Sequence, residues 1–123
     1  MDKKPRAMNR RIGVSEKALS INLDPSIYGS FAEIGAGQEV SANFFAAGGA
    51  SGTIAVTTSA YDMKISDSVY GASKKYVAEP RLLTMLDKEF SNLSSKLQHR
   101  KKDTRFFSFA NTVEILNLSL IHI

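Results

Sequence analysis

The chain has 123 residues, 43% of them hydrophobic and 23% charged, which is the make-up of one ordinary globular domain with a single modest core. It contains no cysteine, which excludes a disulfide framework, a thiolate metal site and a cysteine nucleophile. The net charge of +4 is confined to one end: residues 1–17 hold six cations (Lys3, Lys4, Arg6, Arg10, Arg11, Lys17) against Asp2 and Glu16, while residues 18–123 balance.

Residues 1–16 therefore read as a basic, solvated arm. The arm has no aromatic residue to stack on a base, so a nucleic-acid partner is not expected. No apolar run approaches the roughly 18 to 20 residues that cross a bilayer. Glu16, Lys17 and Asp24 would interrupt the apolar region of an export signal. The expectation is a cytoplasmic protein that makes no use of a membrane.

From Ser20 the stretch "SINLDPSIYGSFAEI" suggests extended segments, with Asp24-Pro25 as a turn, Gly29 as a break, and Ser30 to Ile34 as the first strand. "QEVSANFFAA" places Val40, Phe44 and Ala47 on one helical face, and Gly48-Gly49 ends that helix. A second strand is expected within Thr53 to Ser59, followed by a short helix or loop around Tyr61 to Tyr70. The clearest element is an amphipathic helix over about 79–99. It opens on Pro80, and Leu82, Leu86, Phe90, Leu93 and Leu97 form its core stripe. Its end is basic, with Lys96, Arg100, Lys101 and Lys102. "RFFSFANTV" then reads as a strand ending near Asn111. Strands alternating with helices give an α/β class with parallel pairing, here a small and incomplete sheet within residues 17–117 of a larger domain. The last six residues, "LSLIHI" (118–123), look like the translation of a sequencing adapter, and the natural chain is expected to continue beyond Asn117.

The candidate chemistry sits at two strand ends. In Gly35-Ala36-Gly37-Gln38-Glu39-Val40 the glycines let a backbone approach a ligand, and the N–H groups of the following helix attract negative charge. The dinucleotide fingerprint fails at Val40, where glycine or alanine belongs, and the S-adenosylmethionine methyltransferase motif fails at Glu39. Glu39 would cap the helix and repel a phosphate. Two readings stay open: a ligand turn of Gly35, Gly37 and Gln38 for a nucleotide or phosphorylated small molecule, or a tight strand-to-helix connection. After the second strand, Ser59, Tyr61, Asp62, Ser66, Asp67 and Tyr70 form a polar cluster. Asp62 and Asp67 are its candidates for general base or magnesium contact, against the alternative of turn-forming residues. There is no Walker motif. The two histidines, His99 and His122, form neither a metal pair nor a triad, and no cofactor is assignable.

The run from "KALSINLDPSIYGSFAEIGAGQEV" through "SAYDMKISDSVYG", with "YVAEPRLLTMLDKEF" and "FFSFANTV", resembles the N-terminal part of a much longer bacterial protein family. The resemblance covers about Lys17 to Asn117, with homologous sequence beginning near Ser15. It implies that the missing C-terminal part of the chain is a partner of this part. The family carries two conflicting names, nicotinate-nucleotide (or nicotinamide mononucleotide) adenylyltransferase and TonB-dependent receptor. The residues speak against both: a plugged barrel needs many alternating strands, and adenylyl transfer relies on a His-x-x-His element near the first strand, whereas no histidine precedes His99. What the residues leave is a nucleotide- or phosphoester-handling enzyme fragment or, alternatively, a non-catalytic scaffold or protein-interaction domain.

Overall fold

The computed structural model describes residues 13–97 and 104–114. The expectations for residues 1–12, for His99 and the basic residues 100–102, and for His122 and the 118–123 tail lie outside the described residues. In chain order the elements are α1 (Val14–Asn22), β1 (Ile27–Gly35), α2 (Val40–Ala47), a 3-10 turn (Ala50–Gly52), β2 (Ile54–Ala60), α3 (Met63–Tyr70), α4 (Glu79–Lys96) and β3 (Arg105–Val113). The class is α/β, with a three-stranded parallel sheet in the order β2-β1-β3.

β1 lies in the middle because, Glu33 apart, its central residues are apolar or small on both faces, and Gly29 to Ile34 are all buried. Successive side chains point to opposite sides of the sheet. Ala32 and Ile34 enter a core with Ala60, Tyr70 and Met85, beneath α3 and α4. Phe31 enters the other face, where its ring lies 5.2 Å from Phe44 of α2, 5.5 Å from Phe107 and 5.9 Å from Phe109. Helices thus cover both faces. β3 follows β1 along its whole length, from Ile27 opposite Arg105 to Gly35 opposite Val113.

Three expectations change. Gly29, read as a break before a strand at Ser30, lies inside β1, opposite Phe107 of β3. Val14 to Asn22, read as the end of the basic arm and the start of an extended segment, is a helix. The Glu16 carboxylate accepts the Gly13 N–H at 2.9 Å at its start. At its end the Asn22 amide donates to the carbonyls of Phe44 (3.0 Å) and Gly48 (2.8 Å), holding α1 against α2. The stripe of α4 is also rotated by one position. Its buried residues are Arg81, Met85, Glu89 and Leu93, while Leu83 (58% exposed) and Phe90 (43% exposed) face outward. The rotation follows from the partners that α3 and the loop after it supply to Arg81 and Glu89. Among the described residues no helix is long and apolar enough to cross a membrane.

Candidate functional site

The C-terminal end of β1 is where a parallel α/β sheet normally holds a ligand. Gly35 has φ +82°, and a Cβ placed there would lie 2.0 Å from the Val113 carbonyl oxygen. At Gly37 a Cβ would lie 2.7 Å from a Val113 methyl carbon and 3.3 Å from the Asn111 amide. Both glycines therefore admit the end of β3, and the Ala36 N–H donates to Val113 O at 2.9 Å. Gln38 closes the same turn. Its Nε2 donates to the carbonyls of Glu33 (2.7 Å) and Gly35 (2.9 Å), and its Oε1 accepts the Ser59 hydroxyl at 2.5 Å, joining the ends of β1 and β2.

The first turn of α2 carries its own anion. Glu33, 2% exposed within β1, accepts the Val40 N–H on Oε2 (2.8 Å) and the Ser41 N–H (3.1 Å) and hydroxyl (2.6 Å) on Oε1. The Asn111 amide adds a longer bond to Oε2 at 3.4 Å. Burial alone would raise the pKa of this carboxyl. The Ser41 hydroxyl, the two N–H groups and Asn111 outweigh burial and hold it below the ordinary glutamate value. Glu39 does occupy the cap position, but its side chain makes no capping bond; the capping carboxylate is Glu33, reaching up from the strand. A phosphate aimed at the same N–H groups would meet a fixed negative charge.

The two aspartates serve different ends. Asp62 caps α3, accepting the N–H groups of Lys64 (2.9 Å) and Ile65 (3.2 Å). Asp67 belongs to a cluster around Arg81. That guanidinium, 2% exposed, donates to Gly71 O (2.6 Å), the Ser66 hydroxyl (2.9 Å) and Asp67 Oδ1 (3.4 Å). It lies 4.8 Å from the centre of the Tyr76 ring and 5.7 Å from that of Tyr70. The Tyr76 hydroxyl donates to Asp67 Oδ2 at 3.0 Å. Beyond it, Tyr70 donates to the buried Glu89 carboxylate at 2.6 Å. Burial, then the hydrogen bond to Glu89 and the charge of that group, push the Tyr70 hydroxyl far above its ordinary pKa.

The structure therefore brings Ser66, Asp67 and Tyr70 together, leaves Asp62 on its own helix end, and joins Gln38 to Ser59. The central groups of these networks, Glu33, Arg81 and Glu89, had no place among the sequence candidates. One signal was available: Arg81, Met85, Glu89 and Leu93 recur every four residues, and a charge at i and i+8 of a buried stripe needs partners. Among the described residues no group of three or more histidine, cysteine, aspartate or glutamate residues could hold a metal ion. Comparison with protein-family models, with curated proteins and with solved structures found no match.

Proposed function

We propose that this chain is a non-catalytic α/β scaffold domain that docks another βα unit against α4 and the free edge of β3. One observation carries this reading: Leu86 and Phe90 of the stripe that sequence periodicity marks as core are turned, with Leu83, toward an open groove. Leu83, Leu86 and Phe90, with Asp87 and Ser108, line an open groove of about 360 Å³ between α4 and β3. β3 is half-exposed along most of its length and has β1 as its only described neighbour, so among the described residues no strand pairs with its second edge. A βα unit added parallel to β3 would satisfy that edge and cover the groove.

The reading is further supported by the state of the glycine turn. The N–H groups of Val40 and Ser41 are bound to Glu33, and Gly35 and Gly37 make room for Val113 and Asn111. The alternative, nucleotide or phosphoester handling, has one feature in its favour: among the described residues the buried Asn111 amide oxygen beside Gly37 has no donor. Thermal unfolding with ATP, nicotinate mononucleotide and a sugar phosphate separates the two. No shift with any of them is expected. A nucleotide-dependent rise in Tm that disappears in Gly37→Val or Gln38→Ala would favour the nucleotide reading and sink the scaffold reading.

A further inference from the structure

On the opposite flank, between the edge strand β2 and the C-terminal half of α4, lies a cleft of about 390 Å³, the size range of small-ligand sites. Its walls are mostly apolar, with Val56, Val69, Leu93 and Leu97, and Lys96 stands on its rim. Glu89 lines it as well, although that residue is 5% exposed. Among the described residues the Glu89 side chain has one hydrogen bond, from Tyr70, and no ion pair. Arg81, on the same helix face, is directed to Ser66, Asp67 and Gly71 instead. A carboxylate with one oxygen on Tyr70 and its other free to face a mostly apolar cleft is a ready acceptor for a charged donor entering that cleft.

We propose that this cleft is a binding site for a small organic ammonium with an apolar body, held by the Glu89 carboxylate. The ammonium supplies the counter-charge through charge-assisted hydrogen bonds, and the Tyr70 hydroxyl fixes the acceptor from the other side. The hydrocarbon portion lies on Val56, Val69 and Leu93. With one carboxylate and one lysine ammonium in its lining, the site suits a monocation over a dication. This inference concerns a different face from the docking surface proposed above and does not depend on it.

The test is an NMR titration of the full chain with hexylammonium chloride and, in parallel, with 1-hexanol of the same length. Hexylammonium is expected to bind roughly tenfold more tightly than hexanol, shifting signals of Val56, Val69 and Leu93. Glu89→Gln should reduce hexylammonium to the level of hexanol. Val56→Trp, which puts a bulky ring into the lining of the cleft, should abolish both. Equal affinities for the two probes in the wild type, undiminished hexylammonium binding in Glu89→Gln, or no binding at all overturns the proposal. Should Glu89→Gln fail to fold, unchanged hexylammonium binding in Val56→Trp overturns it independently.

Discussion

Glu33 shows how one side chain can decide the character of a whole loop. A strand position pointing toward a helix start would ordinarily be apolar, and here a carboxylate stands in for the anion that such a start attracts. Because its pKa is lowered on folding, the stabilisation it gives is fully present above the unfolded glutamate pKa and is lost as pH falls through the folded value. Urea melts between pH 7 and pH 3 are therefore expected to show a fall in stability below about pH 4.3 that Glu33→Gln largely removes. At pH 7 the same substitution should cost about 2 to 4 kcal/mol, since it weakens bonds from Val40 and Ser41 inside a buried site.

At the scale of elements, the aspartates differ in consequence. Asp62→Ala removes the cap of one eight-residue helix and is expected to lower stability by about 1 kcal/mol. Arg81→Met removes a buried cation and leaves Asp67, Ser66 and the Gly71 carbonyl without it. A loss of about 3 to 5 kcal/mol by chemical denaturation is expected, or failure to fold. A small effect would show that the cluster is replaceable by apolar packing. The same elements show what a sequence can tell. β1, β2, β3, α2 and α4 were legible because apolar spacing and glycine punctuation are local signals. The rotation of α4 was not, because it depends on which groups Ser66, Asp67 and Tyr70 present from α3. α1 was missed because it buries only Ala18 and Asn22, and a helix with so thin a face carries little periodicity. At the candidate site the glycines were legible as a turn. What fills that turn, Val113 and Asn111, lies about 75 residues further along and leaves no local trace.

For the whole molecule, the described residues form a three-stranded parallel sheet with helices on both faces, in which neither β2 nor β3 has a second described neighbour and a partly apolar groove lies beside β3. The chain is expected to self-associate or to need the docked βα unit for full solubility. The double substitution Leu83→Glu and Phe90→Glu should leave the Tm within a few degrees of wild type, because Leu83 is 58% and Phe90 43% exposed and neither belongs to the buried stripe of α4. It should also shift light-scattering profiles toward the monomer. If the same change unfolds the protein, these residues belong to the core and the docking surface lies elsewhere.

The sheet order also governs when this fold can form. The contact that joins the hydroxyls of Ser30 and Ser108 spans 78 positions of sequence, and the strand that receives it is the last of the three. During synthesis β1 leaves the ribosome early and has only β2 as a strand neighbour until residues 105–113 appear. Closing so long a loop is entropically demanding and slow. For that interval the edge of β1 that β3 later covers, from Ile27 to Gly35, stands open, and the demand for chaperone protection falls on that stretch.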